Sequence, residues 1–174
     1  MDVFSVVELD LRLDIIPFHD LLAKYQVEAA LRADFTGIYV DAETYIYLEA
    51  GPLWKLKRLR FSLAHELGHF ILHRGVPQAA AFASLPDFAR WSKDYAGKKY
   101  TLEQEANEFA GRLLVPENRL NEFFAEFERS AQDIFGDLSS DLRNPFCERA
   151  AQKFGVNAQV IGVRLDREGI WPAG

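Results

Sequence analysis

Cysteine is almost missing from this chain. Cys147 is the only one in 174 residues, so no intramolecular disulfide can form and a Cys-rich zinc finger is excluded, a composition suited to a reducing cytosol. Positive charge is in deficit as well. Twenty Lys+Arg stand against 26 Asp+Glu, giving a formal net charge of −6, so no net positive field draws the chain to nucleic acid or anionic lipid. Nowhere do about 18 apolar residues follow one another, and Met1 to Asp10 has no basic stretch leading into an apolar core. The expectation is a cytoplasmic protein with neither a membrane partner nor direct nucleic-acid binding. Histidines number four, and any metal must be held by His, Asp or Glu.

What is present fits one ordinary folded domain over residues 1–174, with 49% hydrophobic residues and no internal repeat. Leu9, Leu11 and Leu13 alternate with Asp10, Arg12 and Asp14, which predicts a strand over Val6 to Ile16. Pro17 to Tyr25 reads as a short helix. Gly37 to Val40 and Thr44 to Leu48 are β-branched and aromatic segments separated by Asp41, Ala42 and Glu43, so a hairpin is expected. Gly75 to Lys99 lacks a sustained period and reads as a long, partly helical connection.

From Leu53 to His73 the apolar residues Leu56, Leu59, Leu63, Leu67 and Phe70 share a helical face, with Pro52 at the start. Phe61, Gly68 and Leu72 lie on the other side, so the helix is expected to be buried between two layers. It carries His65-Glu66-Leu67-Gly68-His69, a match to H-E-x-x-H. Residues four apart lie on one face, so two imidazoles can hold one metal ion, while Glu66, about 100° round the helix, can reach a water activated there. Neutral nitrogen ligands with an open position suit zinc as a hydrolytic centre, with Glu66 as the base. Manganese and iron accept the same donors. The alternative is a pair of core histidines satisfied by hydrogen bonds.

A catalytic zinc usually takes a third protein ligand. Positions 71 and 75, where a longer histidine motif would place Gly and His, hold Ile71 and Gly75, so a downstream carboxylate is needed. Thr101-Leu102-Glu103-Gln104 reads as a capping box opening a helix to Leu114. Glu103 shares a face with Ala106, Asn107, Ala110 and Leu114, small residues that permit close packing, which makes Glu103 the favoured ligand and Glu105 its competitor. Asn107 is suited to orient a ligand imidazole through its ring N–H. His73 continues the four-residue series but drifts about 80° from His65, which favours a supporting place over contact with substrate. Tyr95 and Tyr100 are weaker candidates as oxyanion donors.

Arg60 to His73, then Glu103 to Ala110, then Leu113-Leu114-Val115-Pro116 together resemble the ImmA/IrrE family of zinc metallopeptidases. The resemblance implies an α+β, zincin-like (gluzincin-type) fold, with a small N-terminal β-sheet packed on a mainly helical body that carries the active-site helix. It implies site-specific cleavage of a helix-turn-helix repressor of a phage, mobile-element, stress or toxin-antitoxin-like module. Gly75 to Lys99 and Asn121 to Arg143 look longer than the family pattern.

Two rival readings have their own residues. A metal-binding regulator would use the same site without cleaving its partner, and residues 144–168 resemble a helix-turn-helix, with Ala151 and Gly155 at a four-residue offset, Gly155 closing the first helix and Asn157 opening the second. Against DNA binding, Arg164 and Arg167 are offset there by Asp166 and Glu168. Lys55, Lys57, Arg58 and Arg60 read as a solvated helix surface. Cys147 reads as a small buried residue.

Overall fold

Asp2 starts the chain's first helix by accepting bonds from the Phe4 N–H (3.1 Å) and the Ser5 hydroxyl (2.7 Å). In the computed structural model, which describes residues 2–46, 48, 50–74, 96–135 and 139–172 without the side chains of 96–100 and 135, α1 (Val3–Ser5) runs on as a π-helical turn over Val6–Asp10. Val3 and Val7, four residues apart, are both fully buried, whereas Leu9 is 74% exposed. Helical spacing therefore overrides the alternation that predicted a strand from Val6. The strand is confined to β1 (Asp14–Phe18), and the helix expected from Pro17 is shortened to α2 (Leu21–Tyr25). Pro17 is tolerated because, among the described residues, β1 pairs on one side only.

The sheet is completed by β2 (Ala29–Leu31) and β3 (Gly37–Asp41), in the order β1-β3-β2. β3 is parallel to β1 and antiparallel to β2. Gly37 is needed where β3 meets β1, since a Cβ there would stand 2.7 Å from the Asp14 carbonyl oxygen. The expected hairpin after Gly37 is absent: Ala42–Ile46 is helix α3, and the antiparallel partner of β3 lies upstream, in β2. Asp41 decides this. Its Oδ2 accepts both the backbone N–H (3.0 Å) and the hydroxyl (2.7 Å) of Thr44, the bond of a helix N-cap, while Oδ1 accepts the Leu22 N–H at 3.0 Å. A local cap outweighs the strand propensity of Thr44, Tyr45 and Ile46.

Helix α4 (Leu53–Leu72) forms where its pattern placed it and packs on β2, β3, α1 and α3. Leu59, Leu63, Ala64 and Leu67 are buried, but Leu53, Trp54, Ile71 and Leu72 are exposed, so only its middle is enclosed. Arg58, Ser62 and Glu66, at successive four-residue steps, all reach β2 or the residue before it. Arg58 and the Ser62 hydroxyl engage Glu28 at 2.8 and 3.0 Å, and Glu66 Oε2 accepts the Leu31 N–H at 2.8 Å. Arg58 is thus committed to an internal partner, and with Lys55 it also lies over the Trp54 ring. Helix α5 covers Ala96–Leu114. It begins before Thr101, so the expected capping box lies inside the helix. Tyr95, most of the Gly75 to Lys99 connection and the side chain of Tyr100 lie outside the described residues.

Two compact units divide the chain, Met1–Ala110 and Gly111–Gly174. The second holds α6 (Glu117–Phe135), a short 3-10 turn (Ser140–Leu142), α7 (Arg143–Phe154) and α8 (Ala158–Glu168). Phe146 is its aromatic centre, with the Phe123, Phe124, Phe127 and Trp171 rings 5.1–5.8 Å away. Gly155 closes α7 with φ 65, as its position predicted. Cys147 is buried, which pushes its thiol pKa up. Arg164, at the middle of the expected recognition segment, is itself buried. It pairs with Glu168 at 2.6 Å, donates to the Val115 carbonyl, and Gly111 leaves room for its side chain. No described helix is long and apolar enough to cross a membrane.

Burial opposes the charge of Asp41, but its three accepted bonds hold the carboxyl below the ordinary aspartate range. Because the folded value is depressed, the stabilisation is complete above about pH 3.9 and is lost as pH falls through the folded value. Asp41→Ala should cost about 1–3 kcal/mol at pH 7, measured by urea unfolding. The gap between parent and variant should narrow in acid, and a pH-independent gap would contradict the assigned cause.

Candidate metal centre

Two helices of the first unit supply the site. On α4, His65 and His69 share one face and His73 closes the helix; on α5, Glu103, Ala106, Asn107 and Ala110 share a face. The helices approach closely at Gly68, where a Cβ would stand 2.9 Å from the Ala106 Cα and 3.2 Å from its carbonyl oxygen. Ala106 and Ala110 are fully buried. Small residues on both faces are what brings Glu103 opposite the histidines.

Donor atoms of His65, His69 and Glu103 all lie within 4.8 Å of one another. The two Nε2 atoms are 3.0 Å apart, and the Glu103 oxygens stand 3.2 Å from His65 Nε2 and 3.7 Å from His69 Nε2. Two imidazole nitrogens on one tetrahedral zinc stand roughly 3.3 Å apart, so the spacing fits a shared ion. The donor set, two nitrogens and one carboxylate, also fits. Burial opposes ionisation of Glu103, yet the His65 and His69 hydrogen bonds and charges hold it well below the usual carboxylate range. At His65, burial works against the charge and Glu103 raises the pKa.

The other ring nitrogens are also engaged. Asn107 Oδ1 lies 3.0 Å from His65 Nδ1, the contact that the sequence suggested for it. His73 is 2% exposed; its Nδ1 faces His69 Nδ1 at 2.9 Å and its Nε2 faces Glu105 Oε2 at 2.9 Å. Neither nitrogen is turned to solvent. Glu105 therefore lies with His73 while Glu103 lies with His65 and His69. Spacing alone left that choice open, and the link from His69 through His73 to Glu105 was not foreseen, although the 69/73 spacing and the wrap of Glu105 carried a signal for it.

Glu66 sits between the metal donors and the sheet. Burial pushes its carboxyl pKa up, against the charges of His65 and His69 and the Leu31 N–H bond. Around β2, Asp41 N–H donates to Glu28 and Arg32 N–H to the Gly37 carbonyl, so Glu28, Ala30 and Arg32 bond toward β3. Ala29 and Leu31 direct their polar groups to the opposite edge. Among the described residues no strand pairs with that edge.

Comparison with known families agrees with this arrangement. The profile described as the IrrE N-terminal-like domain, Peptidase_M78, matches residues 54–166, a span that contains the H-E-x-x-H segment and all of α5. No curated protein matches the chain.

Gly68→Val places branched carbons against the α5 backbone, which cannot yield as a flexible side chain would. It should cost about 1–3 kcal/mol in denaturant unfolding and weaken zinc binding in a chelator competition. Unchanged affinity would show that the approach at Gly68 does not set the position of Glu103.

Proposed function

The chain belongs to the IrrE N-terminal-like peptidase family, a family of metallopeptidases, and on that footing we propose that it is a zinc-dependent endopeptidase of zincin-like fold. The observation that carries the reading is the convergence of His65, His69 and Glu103 beside a glutamate fixed against a strand edge that, among the described residues, no other strand covers. His65, His69 and Glu103 are the ligands in this reading, and Asn107 orients His65. When bound, zinc supplies a Lewis acid that polarises the peptide carbonyl and lowers the pKa of water; manganese or iron would suit the same donors.

Glu66 is the base. Its Oε2 is held by the Leu31 N–H, which fixes the carboxylate and leaves Oε1 to accept the proton of the attacking water and return it to the departing amine. With the Leu31 N–H taken by Glu66, the Ala29 N–H and the Ala29 and Leu31 carbonyls remain to pair with an extended peptide, so side-chain pockets select the sequence while the backbone sets the register. An extended segment of a cytoplasmic protein is therefore the substrate form. The family resemblance supports a helix-turn-helix transcriptional repressor as that protein, in which one cut between DNA-binding and oligomerisation parts would end operator binding.

Glu66→Gln keeps the size of the side chain and removes the base. Zinc should remain bound at one equivalent while hydrolysis falls by about 100-fold or more. Undiminished cleavage removes Glu66 from the mechanism. With the zinc-loaded protein, the repressor encoded beside this gene should yield one or two defined fragments while casein is scarcely cut. Broad digestion of casein would sink the repressor reading, and a stable complex without fragments would favour a regulator that binds its partner without cleaving it.

A further inference from the structure

The side chains behind His69 form a chain of three. His73 is the residue that closes α4, its backbone N–H bonded to the His69 carbonyl, and Glu105 approaches it from α5. Their contacts are both 2.9 Å, from His69 Nδ1 to His73 Nδ1 and from His73 Nε2 to Glu105 Oε2. His73 is 2% exposed, while the Glu105 side chain is about half exposed. A buried imidazole held on both nitrogens has one orientation.

Resting on the assignment of His69 as a metal ligand, we propose that His73 and Glu105 are positioning residues, which together fix the His69 tautomer and strengthen its Nε2 as a donor. The proton count allows one neutral arrangement. His69 Nε2 keeps its lone pair for the metal, so the proton of that ring is on Nδ1. Two Nδ1 atoms 2.9 Å apart share one proton, so His73 Nδ1 is the acceptor. The proton of His73 is then on Nε2, where it donates to the Glu105 carboxylate. Each donation pushes electron density toward the next ring, as a carboxylate behind a ligand imidazole does. His65 has a different support, the neutral amide oxygen of Asn107 at 3.0 Å. The two histidines of the motif are therefore unequal donors, and His69 is the stronger.

A merely structural pair would read otherwise. A buried histidine satisfied by an exposed glutamate changes folding stability when broken and leaves metal affinity alone. A relay changes metal affinity even where the fold is intact. Glu105 separates the two cases because its side chain is half exposed and its loss leaves no buried cavity.

The test uses the full chain, loaded with zinc for affinity by chelator competition and with cobalt for its visible absorption bands. Glu105→Ala should weaken zinc binding by about ten-fold and shift the cobalt bands, with the metal-free unfolding midpoint close to that of the parent. Glu105→Gln, which still offers an oxygen but no charge, should fall between parent and Glu105→Ala. His73→Phe should weaken zinc by about 10- to 100-fold. Adding Glu105→Ala to His73→Phe should cost nothing more, because Glu105 acts only through His73. Zinc affinity of Glu105→Ala within two-fold of the parent, or full additivity in the double variant, overturns the relay. His69→Ala is the reference for the underlying assignment. If it loses zinc while Glu105→Ala does not, the relay alone fails; if it keeps parental affinity, the ligand assignment fails and the relay with it.

Discussion

The site depends on how near two helices can come. At Gly68 and Ala106 nothing larger than a hydrogen atom separates α4 from the α5 backbone, and that contact sets the reach of every carboxylate on α5 toward every imidazole on α4. Glu103 and Glu105 are two residues apart on one helix, yet they meet different histidines because each lies on its own flank of the line of contact. Asn107 takes the remaining place beside His65. A wider spacing would require longer side chains and would lose the match between Asn107, Glu103 and Glu105 and the ladder of residues 65, 69 and 73.

The sheet contributes to the same site from the opposite side of α4. Arg58, Ser62 and Glu66 attach that helix to the edge of β2 and to Glu28 just before it. The order of these contacts along α4 makes Glu66 the last of a series of anchors, so its carboxylate is fixed by the same device that fixes the helix. The sheet thus holds Glu66, while the close helix pair holds the cluster of His65, His69 and Glu103. One helix belongs to both arrangements.

Much of this was legible in the sequence wherever a helical period was long enough to speak for itself. Leu53 to His73 and the stretch ending at Leu114 declared their faces, and face arithmetic alone turned Glu103 and Asn107 toward α4. The short elements near the N-terminus were misread for local reasons. Alternation from Val6 to Ile16 imitates a strand, but Asp2 caps a helix and the Val3/Val7 pair is buried. Thr44 to Ile46 has strand propensity, but Asp41 bonds to Thr44 and turns the chain into helix. β2, only three residues long, is Ala-Ala-Leu and has no period to show. In the second unit, Gly155 marked the turn correctly, whereas nothing in the order of charges reveals that Arg164 is buried with Glu168.

The bond between Glu66 and the Leu31 N–H has a bearing on self-association. An open strand edge is a template on which a second copy of the same chain can pair, and proteins guard such edges by keeping them short or placing charge on them. Here the edge is three residues long, with one acidic side chain accepting the outward N–H of Leu31 and another, Glu28, held beside it by Arg58. A stray β-segment finds there only the Ala29 groups and the Leu31 carbonyl, too few bonds to hold it without the further contacts that a substrate would make. The glutamate beside His65 and His69 is therefore also a guard of this edge, and replacing it by an apolar residue would expose the N–H that it now covers.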